Sequence, residues 1–549
     1  MDSISSFAAI GLIILLVLVG IYRRYTRISI AYIPGPPSDS FLLGNLPEYF
    51  QSQAGEADFK WQEVYGDVVR IKASFGEDRL LISDPKALQY IHQTSGYRWF
   101  KPKERRELSR LVSGRGILWA YGDDHKRHRK VMLPGFGGPE AKSFVPLFSA
   151  CAARLASKWM DLIADTKDQS TIVNIPHWAS RATLDAIGEA AFDYQFGAMD
   201  NADNALGNAY ANLFPDTFGS LSKGDIFKQT IMAHIPDRLL VWLGDYMPNK
   251  KMDHVRHTAR LATSVAKDLV DMKSEELLQG KGRRDVMSLL VKANASENTK
   301  TQLTLEELLA QMRVIIMAGH ETTANTLSWA LLELSRHPEM QVRLRQEIRQ
   351  MERTLRERGD SEFTTADFDS MPYLGAILKE TLRVHPVAYT VYRETSNDDV
   401  IPLSKPIRTL NGDMITEIPV PAGQKILSSI SGYNRNKETF GPDAHTFNPE
   451  RWLEPAGIRK IVPLGVYGNL MTFLGGVHAC IGWRFAVQEL QSFLVELINN
   501  FEFTLTDDAK KIRREACLVM VPTVEGEVDK GAQLPLRVSI ASRDDDNYC

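Results

Sequence analysis

The chain has 549 residues, 44% of them hydrophobic and 24% charged, with a net charge of −3. That balance excludes the basic footprint of a nucleic-acid binder. Its four cysteines, Cys151, Cys480, Cys517 and Cys549, have no paired spacing, which excludes a disulfide framework.

From Ile4 to Tyr22 nearly every residue is apolar, and twelve are Leu, Ile, Val or Phe. Each favours bilayer insertion by about 0.3–0.6 kcal/mol, so together they contribute roughly 4–7 kcal/mol. Arg23, Arg24 and Arg27 follow at once, whereas only Asp2 precedes. This predicts an uncleaved, single-pass anchor over residues 1–28, with the rest of the chain cytosolic. A cleaved secretory signal would need a basic start and a small-x-small cleavage site, and neither is present. Ile33-Pro-Gly-Pro-Pro37 can neither continue a helix nor enter a central strand, so residues 29–44 read as a stiff hinge.

Residues 45–549 then read as one large domain. Val68–Lys72 and Arg79–Ser83 have the texture of early strands around a Phe75-Gly-Glu-Asp turn. Long amphipathic segments dominate from Pro139 to Arg356. After Pro386 the texture turns to short strands and turns, until a final helix past Cys480. The fold class expected is mainly α with a smaller β part.

Four constellations carry chemistry. Asp123-Asp-His125-Lys-Arg-His-Arg129 opens a helix, with His125 and Arg129 one turn apart. Alone it reads as well as a solvated basic face, or as a docking patch of Lys126, Arg127 and Lys130 for an acidic partner. Thr304-Leu-Glu-Glu307 is a capping box that opens a long apolar helix ending near Arg336. Gly319 interrupts it at a cost of about 1 kcal/mol relative to alanine. Glu321, Thr322 and Thr323 stand beside that glycine. On residues alone, Glu321 reads equally as a surface acid and Thr322 as a packing residue. Glu380 and Arg383, at i and i+3, share one helix face and can pair. Last, Phe473-Leu-Gly-Gly476-Val-His478-Ala-Cys480-Ile-Gly482 sets a cysteine at a helix start, where backbone N–H groups and the helix dipole favour thiolate. Gly476 and Gly482 would let the backbone approach a flat cofactor against which Phe473 packs.

This last stretch resembles the signature Phe-x-x-Gly-x-x-x-Cys-x-Gly of the cytochrome P-450 superfamily, the haem-thiolate monooxygenases, and the texture is most similar to the fungal microsomal type. The resemblance covers roughly Pro34 to Val538 and includes all four constellations in order. It implies a single large haem domain with the cytochrome P-450 fold, behind the transmembrane anchor in the endoplasmic reticulum membrane. Haem b would be the cofactor, with Cys480 as its axial metal ligand. Ala318-Gly319-His-Glu321-Thr322 would form the oxygen-side groove, Thr322 as the hydrogen-bonding alcohol and Glu321 as the proton relay. His125 (where the family has tryptophan), Arg129, Arg393 and His478 (where many members have arginine) would hold the haem propionates. His478 would titrate near neutral pH. Glu380 and Arg383, joined by Arg451, would form a buried structural network. Ile315 and Met312, on the Thr322 face, together with Val387 and Ala388, would line an apolar substrate pocket. The implied activity is insertion of one atom of O2 into a lipophilic small molecule, terpenoid or sterol-like by preference. NADPH–cytochrome P-450 reductase would supply electrons, with cytochrome b5 as an optional further donor. A reductase-independent haem-thiolate isomerase or dehydratase, and a non-enzymatic haem or lipid carrier, are the rival readings.

Overall fold

The computed structural model describes Gly11 and residues 28–542, except 202, 280–284, 295–301, 455–457 and 460. Among the described residues no helix is long and apolar enough to cross a membrane. This corrects the expected single-pass placement in the endoplasmic reticulum. The segment that carried the expectation lies, apart from Gly11 and Ile28, outside the described residues. A span needs about 20 consecutive apolar residues. The long helices that are described instead carry charges at helical spacing, as Glu306, Glu307, Arg313, Glu321 and Glu333 do along one of them.

The elements that build the site are, in chain order, α1 (Leu46–Gln51), β1 (Val68–Lys72), β2 (Asp78–Ile82), β3 (Trp99–Phe100), α2 (Lys103–Ser113), α3 (Gly122–Met132), α4 (Val145–Ala164) and α5 (Ile175–Phe192). They continue with α6 (Leu213–Phe218), α7 (Lys223–Met232), α8 (Lys250–Leu278), α9 (Leu305–Arg336), α10 (Pro372–Val384), β4 (Thr390–Thr395), β5 (Lys425–Ser429) and α11 (Trp483–Asn500). Helices dominate and the sheets are small, as the texture predicts.

The central element is α9. Both bonds of its capping box form, Glu307 N–H to Thr304 Oγ1 at 3.2 Å and Thr304 N–H to the Glu307 carboxylate at 2.9 Å. From Ala324 to Ser335 every residue is buried, so the second half of α9 is the axis of the hydrophobic core. Helices α5, α8, α10 and α11 pack around it, and α4 packs on α11. Gly319 is required by this packing, because a Cβ there would lie 2.7 Å from the Ile187 side chain of α5.

The strands form a five-stranded sheet in the order β1-β2-β5-β4-β3. Its β1–β2 hairpin is antiparallel, with Val69 opposite Leu81, and turns at Phe75 with a positive φ of 58°. Strand β2 runs parallel to β5, and β4 is antiparallel to both β5 and β3. Tyr392 sits opposite Leu427 and Arg393 opposite Ile426. The sheet thereby carries the end of the α10 segment toward the cysteine loop.

Candidate active site

The cysteine loop is shaped by two backbone devices. Cys480 N–H donates to Phe473 C=O at 2.8 Å, closing the loop, and Arg129 Nη1 donates to Ala479 C=O at 2.7 Å. Leu474 and Gly476 take positive φ of 56° and 68°. At Gly476 a side chain would run into the backbone of His92 and Gln93. This residue does not border the central cavity, so close backbone packing, rather than approach to a cofactor, explains its glycine. Gly482 does border the cavity and is the N-cap of α11.

The Cys480 residue has accessible surface only in the sense that it faces this interior cavity. Burial raises its thiol pKa, against the Gly482 N–H and the Arg129 charge, which lower it. The expected thiolate bias of the helix start is therefore outweighed by desolvation in the protein alone, and a bound metal cation is what would deprotonate the sulfur. Among the described residues no three His, Cys, Asp or Glu side chains form a metal cage, so the Cys480 sulfur faces the cavity without a preformed cage around it.

The cavity, about 540 Å³, lies between this loop and α9. Phe473, Ile315, Ala318, Gly319, Thr322, Val387 and Ala388 border it as the sequence leads one to expect. Met312 does not: it is wholly buried in the core. Ten residues before Thr322, at about 100° each, it is turned roughly 80° away from the cavity face. Thr322 Oγ1 donates to Ala318 C=O at 2.7 Å and Thr323 Oγ1 to Gly319 C=O at 3.1 Å. Glu321 is not a wall residue. Its carboxylate accepts from Ser180 Oγ of α5 at 3.0 Å and lies 3.2 Å from His320 Nε2. The acid and the alcohol, adjacent in sequence, therefore point to different sides of the helix.

At the edge of the cavity stands a cluster of bases. His125 and His478 stack with ring centres 4.6 Å apart, and Tyr97 Oη is 2.8 Å from His125 Nδ1. Burial, then the Arg393 charge, pushes His478 down to about 2, and burial, then Arg129, pushes His125 down to about 4. The expected titration of His478 near neutrality is thus corrected: an imidazolium in a desolvated site already holding arginine is strongly disfavoured. Arg393 is buried with, among the described residues, only Tyr392 C=O, at 2.9 Å, as acceptor, and burial lowers it to about 10. Lys101, which the sequence reading missed, joins the cluster, and burial, then Arg393, lowers it to about 7. His478 Nδ1 is buried without a partner among the described residues. No signal beyond a lone lysine before an amphipathic helix marks Lys101 in the sequence.

Glu380 and Arg383 are wholly buried, and Arg451 is buried beside them. Glu380 accepts from Arg383 at 2.7 and 2.8 Å, from Arg451 Nε at 3.1 Å, from Asn448 N–H at 2.7 Å and from Trp452 Nε1 at 2.9 Å. Arg383 also donates to Asn434 C=O at 2.9 Å, and the Asn434 side chain in turn accepts from Met471 N–H at 3.0 Å and donates to Thr472 Oγ1 at 2.8 Å. Asn434, unmarked in the sequence, thus ties α10 to the start of the cysteine loop. The basic patch of α3 is less available than expected: Arg127 is bonded to the Glu307 carboxylate at 2.6 and 2.9 Å, and Lys126 is paired with Asp123 at 2.7 Å.

These residues fit a flat metal cofactor with two carboxylates. A cysteine faces the cavity, and among the described residues the cations at its edge lack acidic partners and no Asp or Glu lines the walls. The cytochrome P450 family model matches residues 34–529. The chain belongs to the cytochrome P450 family. It is 32% identical over 520 residues to cytochrome P450 monooxygenase 205 of Postia placenta, covering 92% of each chain. With cytochrome P450 monooxygenase claO of Ampulloclitocybe clavipes it shares 30% identity over 521 residues, again 92% of each chain. This P450 is accordingly a monooxygenase of haem-thiolate type.

Proposed function

We propose that this P450 inserts one oxygen atom of O2 into a lipophilic, terpenoid or sterol-like small molecule, using electrons from NADPH passed by a reductase. The observation that carries this reading is the cavity itself. It has a cysteine on one wall, a threonine hydroxyl on the wall formed by α9, and aliphatic and aromatic side chains over most of the rest.

Haem b, when bound, supplies the oxygen-activating chemistry. Cys480 is the residue to ligate its iron, and Phe473, Gly482 and Ala318 border the space the macrocycle needs. Arg129, Arg393 and Lys101 offer the charges for its propionates, with His125 and His478 as neutral hydrogen-bonding neighbours. Thr322 holds a hydroxyl proton at the cavity wall, and its acceptor Ala318 C=O lies one turn away, so a small rotation re-aims the hydroxyl. Glu321, 14% exposed and bonded to Ser180, is placed to replace that proton from outside the cavity. Ile315, Val387 and Ala388 exclude water and orient the apolar substrate.

The deciding experiment pairs spectrum with turnover. Reduced protein should show the thiolate-type carbon-monoxide band, and Cys480→Ala should lose it. With reductase and NADPH, the wild type should consume O2 and yield a product carrying one labelled oxygen. A band that survives Cys480→Ala refutes the ligand. Product formed without NADPH would establish the isomerase or dehydratase reading instead, and bound haem without O2 uptake the carrier reading.

A further inference from the structure

Among the described residues the cavity is lined by four long-chain cations, Lys101, Arg105, Arg129 and Arg393, and by no Asp or Glu. Three of them belong together. Lys101 and Arg393 act on one another and on His478 and His125, and Arg129 acts on His125 and Cys480. Two propionates suffice to neutralise that group.

Arg105 stands apart. Its charge is felt by Tyr392, Tyr389 and Glu104 rather than by the histidine cluster. Its guanidinium carbon lies 3.9 Å from the centre of the Tyr392 ring. Stacking of this kind occupies the face of the guanidinium and leaves the N–H fork at its edge free. Among the described residues no carboxylate comes within 4.0 Å of Arg105, and no acceptor is bonded to its side chain. Three acids of this region are bonded to other cations, Glu104 to Lys425 at 3.3 Å, Glu107 to Arg110 at 2.7 Å and Glu77 to Arg79 at 2.6 Å, and Asp58 accepts from Ser429. This end of the cavity is bordered by Phe50 of α1, Ser109 of α2, Phe218 of α6, Leu221 just before α7 and Gln229 of α7. It is therefore an apolar passage with one unpartnered cation and two neutral hydrogen-bonding side chains.

We propose that Arg105 is a subsite for a carboxylate borne by the substrate, so that this P450 selects lipophilic acids over their neutral counterparts. The proposal rests on the reading of the cavity as the substrate site. An arginine that lines a largely apolar cavity with no carboxylate bonded to it favours a ligand that brings one, and its planar fork matches a carboxylate in two parallel bonds. The apolar body of such a ligand would then lie along Val112, Ile315 and Val387 toward Cys480.

The test uses the full-length haem-loaded protein and reads binding from the haem absorption shift. Dodecanoic acid, hexadecanoic acid and a tricyclic diterpene acid are each compared with their methyl ester and primary alcohol. A charge-assisted pair contributes about 1.5–3 kcal/mol, so acids should bind roughly 10- to 150-fold more tightly than esters. Arg105→Gln should abolish that preference, leaving ester affinity and the reduced carbon-monoxide band unchanged. Arg105→Lys should restore part of it, as a point charge without the fork. Equal affinity of acid and ester in the wild type, or a preference that survives Arg105→Gln, overturns the proposal. Loss of haem from Arg105→Gln also overturns it, by placing Arg105 with the propionates. Failure of the underlying cavity reading is separate: it would appear as a wild type with no carbon-monoxide band or no shift with any compound.

Discussion

Thr322 shows how one side chain acquires a role from its place on a helix. Its hydroxyl is at the wall of the cavity and, among the described residues, its only acceptor is the carbonyl four residues back, a bond that threonine makes in any helix. Alone this is a packing detail; opposite Cys480 it becomes a proton held where oxygen chemistry is expected. Thr322→Ala should lower product formation roughly 10²-fold, the contribution of one positioned proton donor, while NADPH oxidation continues and peroxide accumulates. Thr322→Ser should retain most of the coupling. Peroxide and product measured together per NADPH decide the matter; unchanged coupling in the alanine variant would remove Thr322 from proton delivery.

At the scale of elements, α3 and α9 are joined end to side by one carboxylate. Glu307 closes the capping box of α9 and receives Arg127 and His128 from α3. The Arg127 hydrogen bonds hold its pKa down at about 2, against an ordinary 4.5. A carboxyl whose folded value is depressed contributes stability that is complete above the unfolded value and is lost as pH falls toward the folded one. The contribution here is at most about 3 kcal/mol. Stability should therefore decline between about pH 4.5 and 2. Glu307→Gln should be less stable at neutral pH by about 2–3 kcal/mol and should lose that part of the acid dependence. Denaturant titrations of both proteins at pH 7 and pH 3 check the sign; equal slopes would mean that Arg127 does not hold the carboxylate. Because α3 also carries Arg129, the same joint steadies the residue that grips Ala479 beside Cys480.

Across the whole molecule, the buried Glu380–Arg383–Arg451 set reaches the cysteine loop through Asn434, Met471 and Thr472. Arg383 is enclosed here with Glu380 and the carbonyls of Asn434 and Thr446, while Arg451 bonds both Glu380 and the Asp443 carboxylate, at 2.9 Å. Glu380→Ala should strand the buried Arg383 charge, Arg451 keeping Asp443, and cost about 3–5 kcal/mol. Since the network ends at the loop, haem retention should fall together with the denaturation midpoint. Full haem occupancy in a protein destabilised by that amount would separate the network from the site and contradict the connection drawn here.

The sequence by itself determined the local features. The capping box, the helix from Thr304 to Arg336, the start of α10 at Pro372, the β1–β2 hairpin and the spacing around Cys480 are written in neighbouring residues, and the physics of caps, turns and periodicity acts over one or two turns of chain. Only the tertiary structure decided which side chains share the cavity. It turned Glu321 toward Ser180, sent Met312 into the core, and assigned Gly476 to backbone packing. It also brought Lys101 and Arg105 to the cavity wall and Asn434 against the start of the cysteine loop. Charge states followed the same rule: desolvation, which lowered His478 and raised Cys480, depends on everything packed around a group and not on its neighbours in sequence.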